Sequence, residues 1–172
     1  KSQEALSEAQ EQATSRGHSV IEPAHLLAAL LGQPEGSTVP VLQKLGVALE
    51  PLQQALQEVL GQIPKVTGGA QAQLSRNTSN VLEAAFSEAE ALKDEYVSTE
   101  HLLLAIANAS GDPAGKALTA SGATREAILQ ALASVRGGAR VTDQDPESKY
   151  QALEKFGRDL TDVARKGKLD PV

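Results

Sequence analysis

The sequence predicts an all-α fold, a tandem repeat of two four-helix motifs followed by a linker and a short helical tail. Three observations predict it. The composition is rich in Ala and Leu, the strongest helix formers, and β-branched runs are scarce. Apolar residues recur at helical spacing. Finally, the chain repeats itself: shifted by 76 residues, its halves align without a gap and share fifteen identities over positions 6–61.

The first helix of each half is predicted at about 2–16 and 77–92. Ala5, Leu6, Ala9 and Ala13 form the apolar stripe of one, and Val81, Leu82, Ala85, Phe86 and Ala89 that of the other. The second helix begins near Pro23, a residue suited to a first turn, with Glu22 placed to complement the helix dipole. Ser98 or Thr99 caps its counterpart. Leu26, Leu27, Leu30 and Leu31 in one half, and Leu102, Leu103, Leu104 and Ile106 in the other, make these helices apolar on most sides and therefore central. The third helices are short and end at Gly46 and Gly122, placed as C-terminal glycines. The fourth carry Leu52, Ala55, Leu56 and Val59 against Ile128, Ala131, Leu132 and Val135, and stop at Gly61 and at Gly137-Gly138.

These signals divide the chain into a first repeat over 1–62, a connector over 63–75, a second repeat over 76–138, a polar linker over 139–148 and a further helical segment over 149–172. That last segment, with Leu153, Phe156, Leu160 and Val163, is too short to make a core of its own. The absence of Met and the lack of a helix stop at 168–172 read as a piece of a longer chain.

Composition narrows the function. The net charge of -6, with both signs interspersed, argues against a nucleic-acid partner, which would call for clustered Lys and Arg. No apolar run approaches the ~20 residues of a membrane-spanning helix. Without Cys there are no disulfides, thiolate metal sites or Cys nucleophiles, which fits a reducing, cytoplasmic compartment. No P-loop occurs: Gly167-Lys168 lacks the glycine spacing and the hydroxyl, and Gly111-Asp112-Pro113 reads as a turn. No Ser or Thr sits in a nucleophile turn. The piece is expected to have no catalytic residue, no cofactor-binding residue and no metal ligand.

The residues at both ends carry a resemblance. Residues 1–6, Gly17-His18 and 21–27 (Ile-Glu-Pro-Ala-His-Leu-Leu) resemble the start of Clp-type unfoldases. Residues 150–161 and 167–172 (Gly-Lys-Leu-Asp-Pro-Val) are similar to the entry into their first AAA+ module. Arg136-Gly137-Gly138 and Tyr150-Gln151-Ala152-Leu153-Glu154-Lys155 favour the ClpB-type disaggregase branch. The resemblance implies a pseudo-two-fold double Clp N motif that engages unfolded or aggregated polypeptide. It implies an ATPase bearing ATP and Mg2+ only beyond residue 172, a homo-hexamer when full length but a monomer for this piece, and a DnaK-type chaperone as partner. The alternative is an adaptor-docking domain of a ClpC/ClpA-type unfoldase that feeds a protease.

Within that frame, two pseudo-symmetric lobes leave a groove between them. Tyr96 and Val97, with Val20 and Ile21 at the matching positions, are candidates for its wall, and could equally be core. Asp94 and Glu100 are candidates for a charged rim favouring basic substrates, although carboxylates near a helix start are also stabilising there by about 0.3–1 kcal/mol. His25 and His101 occupy equivalent first turns. A zinc site wants three or four ligands, and spacing supplies no third. A helix-terminal hydrogen bond is the simpler role. His18 reads as a loop residue.

Overall fold

The structure, a computed structural model, describes residues 2–33, 36–66 and 71–136. The linker over 139–148, the segment over 149–172 and the Gly137-Gly138 stop lie outside the described residues. Eight helices are described: α1 (Ser2–Ser15), α2 (Pro23–Leu31), α3 (Thr38–Lys44), α4 (Leu49–Gly61), α5 (Arg76–Ala91), α6 (Thr99–Asn108), α7 (Pro113–Ala120) and α8 (Arg125–Arg136). Adding 76 to the bounds of α1–α4 lands on α5–α8 to within two residues, so the repeat seen in the sequence is a repeat in space.

The helix ends show why. Four turns close with the same pair of backbone bonds, in which a residue of positive φ donates three residues back and the next residue donates five back. Gly17 and His18 reach Thr14 and Ala13, Lys93 and Asp94 reach Glu90 and Ala89, Gly46 and Val47 reach Gln43 and Leu42, and Gly122 and Ala123 reach Thr119 and Leu118. This motif satisfies carbonyls that a helix end leaves orphaned. Glycine supplies the left-handed φ at three of the four. At the remaining one Lys93 adopts φ 59°, a conformation that crowds a Cβ.

The core follows from the two central helices. Every residue of α2 except Ala28, and every residue of α6 except Asn108, is buried. α1 packs on α2 and α5 packs on α6. Between the lobes, α2 meets α6, α3 meets α8 and α4 meets α7. That exchange of partners, with one element meeting its own counterpart, is the signature of a two-fold relation. Where α7 crosses the end of α6, Gly115 permits the approach: a Cβ there would stand 2.1 Å from the Ala109 carbonyl oxygen.

A feature not expected from the sequence is a parallel pair of two-residue strands, β1 (Val20–Ile21) and β2 (Gln73–Leu74). Gln73 N–H donates to Ser19 O and Ser75 N–H to Ile21 O, both at 3.1 Å, and the Thr78 hydroxyl donates to the same Ile21 carbonyl at 2.6 Å. The connector between the repeats is thereby stitched to the first lobe. Strands of two residues have no period to read, and their partners lie far apart in the chain.

Candidate binding groove

The segment joining α1 to α2 builds one wall of a groove at the seam of the lobes. Side chains alternate along β1, as in any strand. Ile21 (5% exposed) points into the core and Val20 stays half-buried. Val20 lines a cavity of about 350 Å³ with Val59, Ile63, Pro64 and Val66 as its apolar surface. Val66 is half exposed, which among the described residues is unusual for a large aliphatic side chain. Across the seam the cavity meets Asn77, Asp112 and Pro113, from the starts of α5 and α7. The only charged residues in its lining are Glu22 and Asp112. Asp112 accepts from Asn77 Nδ2 at 2.8 Å and from the Ala114 backbone at 2.9 Å, so it caps α7, and the predicted turn at 111–113 leads directly into that helix. A neighbouring cavity of about 340 Å³ mixes Asn77, Asn80, Asn108 and Asp112 with Val81, Ala84, Ala105 and Ala109. Its surface is more evenly polar than that of the Val20 cavity, which suits it less well to apolar side chains.

The other candidate residues fall at or beside the repeat-related positions. Tyr96 corresponds to Val20 and Val97 to Ile21, and the pattern recurs: Tyr96 is half-buried and Val97 (1% exposed) is core. Glu100 is buried at the first turn of α6, where its Oε1 accepts from the Ser98 hydroxyl at 3.1 Å. Asp94 is buried in the turn after α5. The structure thus brings Asp94, Tyr96, Val97, Ser98 and Glu100 onto one turn-and-helix segment of the second lobe, while Val20 and Ile21 form the equivalent segment of the first. Val135, corresponding to Val59 of the groove, is the other large hydrophobic residue exposed among the described residues.

Beneath each wall lies a buried histidine. The Glu22 N–H donates to His25 Nδ1 at 2.8 Å, and the Ser98 N–H donates to His101 Nδ1 at 2.7 Å. These are the helix-terminal bonds that the sequence suggested, and they fix the tautomer. With Nδ1 accepting, each neutral ring carries its proton on Nε2 and donates from there. His101 Nε2 donates to Asp94 Oδ2 at 2.6 Å; His25 Nε2 donates to His18 Nδ1 at 2.8 Å. His18 and Asp94 are themselves related by the 76-residue shift. His18 lies in the loop between α1 and β1, as expected, but it is only 3% exposed and is a buried partner of His25. Burial, then the charges of Arg16 and Lys65, push the His18 imidazole below its ordinary pKa. Burial, then the His18 ring and Arg16, push His25 down to about 4. Sequence reasoning missed this pairing, although a signal was present: an acceptor stands seven residues before each conserved-in-register histidine, at 18/25 and at 94/101.

The described residues contain no group of three or more His, Cys, Asp or Glu placed to hold a metal ion. None of their helices is long and apolar enough to cross a membrane. What the fold defines is a class: a pseudo-symmetric, duplicated helical domain with an apolar cavity at the seam of its lobes. The profile of the Clp repeat (R) N-terminal domain family matches residues 1–121, and the chain belongs to that family. It is 46% identical over 170 residues to the chaperone protein ClpB of Rhodopirellula baltica, covering 99% of this chain and 19% of that protein. It is 47% identical over 174 residues to ClpB of Corynebacterium glutamicum, covering 100% and 20%. The chain thus spans about a fifth of the length of the curated relatives it matches. Both of these relatives are ClpB chaperones. In fold, it superposes on the crystal structure of the Hsp104 N-terminal domain from Candida albicans with a TM-score of 0.71 at 21% identity, covering 81% of this chain and 91% of that one.

Proposed function

We propose that this chain is the substrate-engaging amino-terminal domain of an ATP-dependent disaggregase, and that its seam groove receives exposed apolar segments of unfolded or aggregated polypeptide. The observation that carries this reading is the groove beside Val20, where Val59, Ile63 and the half-exposed Val66 offer apolar surface in a cavity large enough for one or two side chains. Burying a single Leu or Phe side chain is worth about 1.5–3 kcal/mol. Such a site therefore binds weakly and without sequence motif, at micromolar affinity or weaker. Glu22 and Asp112 at its margin favour segments in which a basic residue lies next to an apolar one. In the second lobe Tyr96 offers the equivalent apolar face, while Ile21 and Val97 hold the two walls from beneath; Asp94 and Glu100, expected as a charged rim, are buried and bonded to His101 and Ser98 instead.

In the whole protein, the AAA+ modules that follow use ATP and Mg2+ and assemble as a homo-hexamer in the cytoplasm, supplied with substrate by a DnaK-type chaperone. This domain itself performs no catalysis. On the domain boundaries read above, the linker at 139–148 tethers the groove near that ring and raises the local concentration of substrate.

The test is an amide chemical-shift titration of the 172-residue chain with unfolded casein at pH 7, with a native globular protein as control. The reading expects shifts at Val20, Ile63 and Val66 with casein alone. If casein left every one of these unmoved, direct substrate binding at the seam would be abandoned.

A further inference from the structure

We infer that the buried His18–His25 pair is an acid-operated latch on the first-lobe wall of the groove; the inference rests on the seam reading above for its consequence, but not for its operation. The pair is closed only when both rings are neutral. His25 Nδ1 is occupied by the Glu22 N–H, so the one proton of a neutral His25 must sit on Nε2 and point at the His18 Nδ1 lone pair. A proton added to His18 Nδ1 sets two N–H groups head to head across 2.8 Å. Shifting the His25 proton to Nδ1 only moves the collision to the Glu22 amide, also 2.8 Å away. No arrangement of three protons satisfies this geometry.

The surroundings offer the added charge no compensation. The charged groups acting on the pair are Arg16 at the end of α1 and Lys65 in the connector, both cations, and among the described residues no carboxylate is hydrogen-bonded to either ring. The second lobe supplies an internal control. There the acceptor is the Asp94 carboxylate, whose Oδ2 receives the His101 Nε2–H at 2.6 Å and presents no ring N–H to collide with it.

What the latch holds is the wall itself. His18 lies between Gly17, whose carbonyl accepts from Val66 N–H at 2.7 Å, and Ser19, whose carbonyl accepts from Gln73 N–H. Ser19, Val20, Glu22 and Val66 all line the groove. Forcing the rings apart displaces this stretch, and the binding-competent fraction of the domain falls.

The experiment measures hydrogen exchange and peptide binding at pH 7 and pH 5 on the 172-residue chain and on His18→Asp and His18→Asn. Exchange at Val66, Gln73 and Ser75, whose amides donate to carbonyls 17, 19 and 21, reports opening; Asp94 N–H reports the second lobe. The binding probe is a tetramethylrhodamine-labelled, end-blocked peptide of Leu, Val and Arg, which has no group titrating between these pH values. Corrected for intrinsic rates, wild-type exchange at the three amides accelerates at pH 5, Asp94 does not change, and affinity falls only in step with the fraction of domains opened, by less than about twofold. Both variants hold exchange and affinity constant, and either one that folds suffices. Equal pH responses in wild type and variants overturn the latch. Opening without loss of affinity overturns its coupling to the groove. A peptide that binds at neither pH removes the seam reading, while the exchange comparison still decides the latch.

Discussion

In the first lobe a buried histidine donates its proton to another histidine; in the second, the equivalent histidine donates to an aspartate. Both rings hang from the same backbone: a left-handed turn after the first helix, an extended pair of residues, and a second helix whose start amide bonds Nδ1. The second lobe adds a further ionic tie, in which Arg125 of α8 grips Glu88 of α5 through Nε and a terminal nitrogen at 2.6 and 2.7 Å. The corresponding first-lobe residues are Leu49 and Gln12, which cannot make it. The difference teaches that apolar packing fixes the fold of each repeat, whereas the buried polar pair sets the conditions under which it holds. Duplicated Leu and Ala positions kept the frame, and the acceptor at 18 and 94 was free to become neutral in one copy and anionic in the other.

The strongest challenge to this view is to remove the frame from each lobe in turn. Leu26→Ala and Leu102→Ala empty equivalent, fully buried positions. Each should cost about 3 kcal/mol, within the 2–5 kcal/mol range for such truncations. Denaturant unfolding would check it; a cost confined to one lobe would mean that only that lobe carries the fold. Next comes Gly115→Ala, whose Cβ would press on the Ala109 and Ile106 carbonyl oxygens at the α6–α7 crossing. Overpacking of this kind costs about 1–3 kcal/mol. Val39, its first-lobe counterpart, already bears a side chain, so Val39→Ala should cost about 1 kcal/mol or less. Smallest, and of opposite sign, is Lys93→Gly. Lys93 takes the left-handed conformation that Gly17 occupies in the other repeat. Relieving it should raise stability by up to about 1 kcal/mol, after the entropy that glycine returns to the unfolded chain. A thermal melt would show a shift of a few degrees upward, or refute the assignment of strain.

How much of this was legible in the sequence varied with the kind of signal. Helices α2 and α6 announced themselves, because runs such as Leu102-Leu103-Leu104 beside a capping residue leave few alternatives. The duplication was legible because identities at His25/His101 and Gly46/Gly122 are not what chance Leu and Ala overlap produces. Of the candidate wall, the sequence could name positions 20–21 and 96–97 but not which member of each pair faced solvent; a two-residue extended segment has no period from which a face can be read. The β1–β2 stitch and the groove residues Ile63 and Val66 depended on where the connector returns, which local pattern does not encode. His18 was hidden for a chemical reason: its equivalent is Asp94, and identity scoring sees no kinship between an imidazole and a carboxylate that accept the same proton.

The claim that the lobes share a frame but differ in the polar pair beneath it is tested most directly by stability against pH. His25 has its folded pKa depressed from 6.5 to about 4. As pH falls below 6.5 the unfolded chain takes up the proton while the native chain refuses it, so stability is lost progressively until the native ring protonates near the lower value. From His25 alone the loss between pH 7 and pH 5 is roughly 2 kcal/mol, at about 1.36 kcal/mol per unit. Urea unfolding of wild type and His18→Asp at these two pH values decides the matter. The account predicts that wild type loses roughly that amount and that the variant, given the second lobe's acceptor, loses less than half of it. Equal losses in the two proteins would contradict it.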